Sequence, residues 1–411
     1  MVYPKQKIKF SFAVKNGATP KSDEPTYWDG DILWVTPADF TTEQCYISEA
    51  RRYITEDGLN SCGTNLVPVG SVVVSNRAPI GLIGIAAEAL CTSQGCKSLI
   101  KKVSDVNEKF VYYYLTTQEK ALNALGRGTT FFELSSYDLA NFHIPMPSYA
   151  EQTSIAVYLD RRTTEIDTLL ADLQSQAEML DRHKRELIAN AVTHGLNRYG
   201  PTVDSEVDWI GAVPSHWSVT KLKWVFEIVK RIYGKEDRDV LSITQRGLKV
   251  RDIESNEGQL AVSYANYQVV NVNDFAMNSM DLLTGWVDCS PFEGVTSPDY
   301  RVFRFFPGKE QCHSYYKYLF QMCYKNRIFY RLGQGVSNLG RWRLQADQFL
   351  NMKLPQPPIH EQEEIAAFLD KKTVQVDSLI TDINAQIEKL KQYRQIVIHD
   401  AVTGKIKVTE G

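Results

Sequence analysis

The sequence predicts an α+β fold: two β-rich globular units, each followed by one long helix, with the two helices packed on each other. Three observations predict it. The stretch from Pro147 to His194 returns as Pro357 to Gly404 at a constant offset of 210 positions. Both copies carry an apolar residue at every seventh position. The segments ahead of the two copies hold strand and turn signals but do not match each other.

The repeat is read first because a long internal repeat constrains the whole architecture. Pro147, Glu151, Gln152, Ile155, Ala156, Leu159, Asp160 and Thr163 reappear as Pro357, Glu361, Gln362, Ile365, Ala366, Leu369, Asp370 and Thr373. The match runs on without a gap to Ala191-Val192-Thr193 and Ala401-Val402-Thr403. Beyond its opening residues neither copy holds proline or glycine before the end of the match. The seventh-position series are Leu159, Ile166, Leu173, Leu180, Leu187 and Leu369, Val376, Ile383, Leu390, Val397. That is coiled-coil spacing, and Leu169/Leu379 and Leu170/Ile380 are expected to widen the stripe. Ser148 and Glu151 form a capping box at the first start. About 40 helical residues span roughly 60 Å at a rise of 1.5 Å per residue.

The remaining elements divide the chain at 1–146 (first globular unit), 147–195 (first long helix), 196–208 (linker), 209–353 (second globular unit), 354–404 (second long helix) and 405–411 (tail). In the first unit Ile32-Leu33-Trp34-Val35 and Ser71-Val72-Val73-Val74 read as strands, and Lys109 to Lys120 as a short helix. Gly126-Arg127-Gly128-Thr129-Thr130 is a basic glycine loop ahead of the first helix, and Gly333-Gln334-Gly335-Val336-Ser337 takes the same place ahead of the second.

Composition bounds the function. With 43% hydrophobic and 23% charged residues the chain is an ordinary globular protein, and no apolar run reaches membrane-spanning length. The start lacks the apolar core of a signal peptide. Seven cysteines without a Cys-x-x-Cys pair suit reduced thiols in a cytoplasm and argue against structural zinc. The net charge of −3 gives no global nucleic-acid signature. The charge is unevenly placed, however: residues 1–143 carry −1, whereas 208–353 carry +4. From Arg301 to Arg343 nine basic residues face one acid, Glu310, with aromatics interleaved. Those aromatics read either as a stacking surface for bases or as the core face of a helix.

Catalytic signatures are missing. There is no Gly-x-x-x-x-Gly-Lys-Ser/Thr loop, no Asn/Asp-Pro-Pro-Tyr/Phe run, and no His-x-x-x-His or Glu-bearing metal motif. Pro298-Asp299 lacks a Glu-x-Lys partner at strand spacing. The chain reads as a non-catalytic binder.

Four motifs together carry a family resemblance: the repeated Pro-x-x-x-Glu-Gln-x-x-Ile-Ala-x-x-Leu-Asp; Ser75-Asn76-Arg77-Ala78-Pro79-Ile80-Gly81 with Cys91-Thr92-Ser93-Gln94-Gly95; Gly294-Val295-Thr296-Ser297-Pro298-Asp299-Tyr300; and Trp209-Ile210-Gly211 with Pro214 and His216-Trp217. On these residues the sequence resembles the specificity (S) subunit of type I DNA restriction-modification systems over essentially its whole length. The resemblance implies two target recognition domains, each reading one half of a split, asymmetric double-stranded DNA site. It implies that the two long helices pack as an antiparallel coiled coil that spaces them. It further implies two docked adenine methyltransferase subunits and motor-nuclease subunits, with S-adenosylmethionine and ATP/Mg held by those partners and no cofactor in this chain. Two departures stand out. The second unit carries Met277 to Trp286 in place of the Arg-Ala-Pro-Ile-Gly loop, and the first unit has no counterpart to the Trp209–Trp217 segment.

Base reading needs Arg or Lys for guanine and Asn or Gln for adenine; phosphates take Lys, Arg, Ser, Thr and loop amides. The candidates for DNA contact are Lys21, Thr36, Arg77, Gln94, Arg127 and Thr129 in the first unit. In the second they are Arg231, Gln245, Arg246, Asn278, Tyr300, Gln334, Arg341 and Arg343. The competing readings are a two-domain coiled-coil scaffold without a DNA role, and an enzyme with a diffuse cysteine or carboxylate site.

Overall fold

A computed structural model describes residues 3–41, 44–77, 79–127, 132–197, 199–252, 263–334 and 342–408. The chain forms two compact units, Met1–Ser175 with Ile383–Gly411, and Gln176–Asp382. Each long helix, Tyr149–His194 and Ile359–Val402, therefore contributes one part to each unit.

In the first unit a five-stranded sheet runs in the order Phe12–Asn16, Cys96–Lys101, Val72–Ser75, Ile83–Ala86, Tyr46–Ile47. Val72–Ser75 lies in its middle and is buried on both faces, which suits its run of β-branched valines. The sheet packs on Glu108–Thr116, whose Phe110, Val111 and Leu115 are buried. The expected helix over 109–120 is two helices, Glu108–Thr116 and Glu119–Ala124. The break falls where the Thr116 and Thr117 hydroxyls donate back to the Tyr113 and Tyr114 carbonyls at 2.8 and 2.7 Å.

In the second unit a four-stranded sheet runs Phe226–Val229, Arg301–Phe305, Phe275–Met277, Val287–Cys289. Its core is aromatic. Phe226 meets Phe275, Phe303, Phe305, Tyr316 and Phe320 at ring-centre distances of 4.5 to 5.6 Å. Tyr315, Tyr316, Phe320 and Phe329 are buried, so the aromatics of this basic stretch pack the core and do not form a stacking surface. Its cations stay at the periphery of His313–Lys325 because the apolar face of that helix is the one turned to the sheet.

The same frame is built twice. Gln152 accepts from the Asn107 amide at 2.9 Å and donates to the Pro147 carbonyl at 2.9 Å. Gln362 accepts from the Cys312 amide at 3.0 Å and donates to the Pro357 carbonyl at 2.9 Å. The Tyr113 hydroxyl donates to Asp160 at 2.8 Å, and the Tyr318 hydroxyl to Asp370 at 2.7 Å. Lys5–Lys7 pairs with His143–Pro145 as Ser218–Lys221 pairs with Lys353–Gln356.

The helices run antiparallel within each unit. In the first, Ile155 and Leu159 share a core with Val397, Ile398, Ala401 and Val402, and Arg394 grips Asp167 at 2.8 and 3.0 Å. In the second, Ala191 and Val192 share a core with Ile365, Ala366 and Leu369, and Lys184 donates to Asp377 at 2.6 Å. Asp167 and Asp377 are repeat equivalents, as are Lys184 and Arg394, so one ionic exchange is made twice. The capping box forms: the Ser148 amide donates to Glu151 at 3.0 Å and the Glu151 amide to the Ser148 hydroxyl at 3.3 Å. Leu159, Ile166, Leu369, Val376, Ile383 and Val397 are buried as the spacing requires. Leu169 and Leu379 instead face outward, 52% and 51% exposed. They stand three positions after a stripe residue, which at about 3.6 residues per turn sets them to one side of the seam, while Leu170 and Ile380 are half-buried.

Candidate nucleic-acid interface

In both units the described residues that flank the glycine loop ahead of the long helix form a backbone bridge. Arg127 and Glu133 exchange two hydrogen bonds of 3.0 Å, and Gln334 and Arg343 exchange two of 3.0 and 3.1 Å. The next residue docks each bridge on the sheet: the Leu134 amide donates to the Asn76 carbonyl at 2.9 Å, the Leu344 amide to the Ser279 carbonyl at 3.0 Å. Beneath each bridge lies a buried cation on an equivalent strand. Lys97 stands opposite Val74, and Arg301 opposite Met277, each two residues ahead of the docking carbonyl.

The electrostatics of the two loop bases differ. In the first unit Glu133 accepts from Asn76 at 2.8 Å, from Arg77 at 3.1 and 2.9 Å, and from Lys97 at 3.4 Å. Burial lowers the Lys97 pKa against the pull of Glu133. Burial would raise the Glu133 carboxyl, but Arg77 and Lys97 overcome that and hold it below the usual carboxylate range. In the second unit Arg301 donates to the Leu344 carbonyl at 2.8 Å and lies over the Phe349 ring at 4.9 Å. Its Nη1 is buried without a hydrogen-bond partner. Burial pushes Arg301 down to about 10, with Tyr324 opposing and Arg343 adding to the shift.

A second basic feature of that unit is a cleft of about 400 Å³ lined by Lys184, Arg185, Arg246, Lys317 and Lys325, with Asp288 and Asp377 as its acids. One wall is the hairpin Leu241–Thr244/Gly247–Val250, whose two-residue turn is Gln245-Arg246. Gly247 has φ +103, and a Cβ there would stand 2.6 Å from the Asp288 carboxylate, so the turn requires glycine. Lys325 lies 5.8 Å from the Trp286 ring centre, and burial lowers its pKa.

The described sequence candidates fall into two groups. Lys21, Gln94, Arg127, Gln245, Arg246, Gln334 and Arg343 are exposed. Arg127 reaches Asp138 at 3.2 Å, Gln94 accepts from Thr19, and Gln245 donates to the Thr284 carbonyl at 3.3 Å. Five others make internal contacts. Thr36 caps a turn with Asp39, its amide and hydroxyl donating at 2.7 and 2.6 Å. Arg77 is held by Glu133. Arg231 is paired with buried Asp274. Asn278 accepts from the Met280 amide at 3.2 Å. Tyr300 is held through its backbone, its carbonyl accepting from Gln268 at 2.6 Å, and its side chain is half-buried. Thr129 and Arg341 lie outside the described residues. Sequence reasoning passes over Lys97, Glu133, Arg301, Lys317 and Lys325. One signal was available: carried upstream of Pro147, the 210 offset sets Leu134 on Leu344 and Glu133 on Arg343.

Among the described residues no group of His, Cys, Asp and Glu could hold a metal ion. Burial pushes the Cys45, Cys96 and Cys289 thiols up to about 12, which keeps them protonated and poor nucleophiles. No helix among the described residues is long and apolar enough to cross a membrane.

The comparisons with known proteins agree with one another. The family model described as the type I restriction modification DNA specificity domain matches residues 7–179 and again 214–389. The specificity subunit of type I restriction enzyme MjaIX from Methanocaldococcus jannaschii is 37% identical over 187 residues, 45% of this chain and 42% of that subunit. The match thus spans less than half the length of this relative. Among solved structures, a chain from work on the assembly and conformational transition of a type I R-M system superposes with a TM-score of 0.67 at 14% identity, over 98% of both chains. The HsdS subunit from Thermoanaerobacter tengcongensis gives 0.54 at 14% identity, over 98% of this chain and 97% of that one. At such identities the likeness carries the fold.

Proposed function

The chain belongs to the type I restriction-modification DNA specificity family, and on that premise we propose that it reads a split, asymmetric double-stranded DNA site, one half by each unit. It is non-catalytic and holds adenine methyltransferase and motor-nuclease subunits on that site. S-adenosylmethionine and ATP belong to those partners. The observation that carries this reading is a frame built twice under two different surfaces. Gln152/Gln362 and Asp160/Asp370 make the same contacts in both units, while Glu133 in one loop base is replaced by Arg343 in the other. A repeated frame suits two copies of one partner; unlike surfaces suit two unlike half-sites. Leu169 and Leu379, equally exposed at equivalent positions, offer that partner the same apolar contact twice.

The exposed candidates Lys21, Gln94, Arg127, Gln245, Arg246, Gln334 and Arg343 are assigned to DNA contact. Thr36, Arg77, Arg231, Asn278 and Tyr300 are assigned to supporting the loops that make it. Copurification of the tagged chain with an adenine methyltransferase, and methylation of one bipartite sequence by the resulting complex, tests the reading. A chain that recovers no methyltransferase and binds duplex DNA no better than a neutral protein would leave the scaffold without a DNA role as the account.

A further inference from the structure

The two loop bases are alike in backbone and differ in charge, since only the first holds a carboxylate. In the first, two cations and one carboxylate meet: Lys97 and Arg77 both reach Glu133. In the second, Arg301 takes the place of Lys97 and Arg343 takes the place of Glu133. Neither Arg301 nor Arg343 has a carboxylate within ion-pair distance among the described residues. Arg301 is 9% exposed, so its charge is poorly solvated, and one of its nitrogens has no acceptor. A buried charge without a counter-charge is unfavourable, and its field falls on whatever stands nearest in the low-dielectric surroundings. Exposed Arg343 adjoins Leu344, whose carbonyl Arg301 holds, so that field reaches Arg343.

We propose that the loop base of the second unit takes a DNA phosphodiester between Arg343 and the field of Arg301, in the place that the first unit fills with its own Glu133. The proposal rests on the DNA-reading role above and deepens it. The phosphate is the missing counter-ion. Arg343 makes the contact; Arg301 is a positioning residue that fixes the Leu344 carbonyl and supplies charge from behind. The two units thus differ in how they hold the backbone as well as in what they read: the first brings its own counter-charge, Glu133, to its loop base, and the second is completed by its ligand.

The test uses the full chain, a mixed-sequence duplex and a salt series, with Arg343→Gln, Arg343→Glu and, as a separate arm, Arg246→Gln in the hairpin turn. Removing one phosphate contact lowers the slope of log K against log salt by about 0.9, equivalent to about eightfold weaker binding at 0.1 M salt. Arg343→Gln gives that loss. Arg343→Glu gives at least that loss and also raises the melting temperature of the free chain, because the new carboxylate meets Arg301 as Glu133 meets Lys97. An unchanged slope in Arg343→Gln while Arg246→Gln lowers it would overturn the proposal and leave the DNA-reading role standing. So would a lower melting temperature in Arg343→Glu. An unaltered chain whose binding ignores salt would remove the DNA-reading role itself.

Discussion

Replacing Gln152 by methionine keeps the length of the side chain and removes every hydrogen bond it makes. The native side chain is fully buried, donates to the Pro147 carbonyl at 2.9 Å and the Asp105 carbonyl at 3.2 Å, and accepts from the Asn107 amide at 2.9 Å. Asn107 is also the N-cap of Glu108–Thr116, so one side chain ties the start of that helix to the start of the long one. Leaving a buried amide unpaired costs about 1–3 kcal/mol, and each lost bond to a carbonyl adds about 0.5–1.5 kcal/mol, so Gln152→Met should cost about 2–4 kcal/mol after partial relaxation. Gln362→Met should cost about 1 kcal/mol less, because one of its three partners is the Gln311 side chain, which can turn to another donor. Urea unfolding of the full chain reads both. The tryptophans of the first unit, Trp28 and Trp34, should report the Gln152 effect. A loss below about 0.5 kcal/mol, the level of an ordinary surface substitution, would refute the clamp.

Two further predictions concern charge. Asp167→Arg should destabilise the first unit by setting two cations together, and adding Arg394→Asp should restore most of the loss; single neutralisation should cost only about 0.2–1 kcal/mol because the pair is partly solvated. A double variant no better than Asp167→Arg alone, by urea midpoint, would mean the pair does not contribute. Glu133, held below the usual carboxylate range, contributes stability that is full above that range and is lost as pH falls through its lowered folded value. Glu133→Gln should therefore lose stability at neutral pH and show a flatter melting temperature through the acid range; parallel curves for the two chains would contradict the assignment.

The helices were legible because a seven-residue period and a constant offset are local, repeated signals. Leu169 and Leu379 show the limit of that signal, since an apolar residue one step off the seam counts the same in a pattern and differently in space. The loop chemistry was less legible because it depends on strand register. Arg231 has the chemistry of a phosphate contact, yet Asp274, 43 positions away, holds it. Lys97 and Glu133 are 36 positions apart, and only the sheet brings them together. The aromatic run after Arg301 was ambiguous for another reason: a core face and a stacking face have the same composition, and the facing sheet decides between them.

The central claim is that each unit reads its own half of one site. Exchanging residues 1–146 for the corresponding domain of another family member, and sequencing the methylated adenines made by the assembled complex, tests it most directly. The account predicts a new sequence in one half of the methylated site and an unchanged other half. Change in both halves, or in neither, would contradict it.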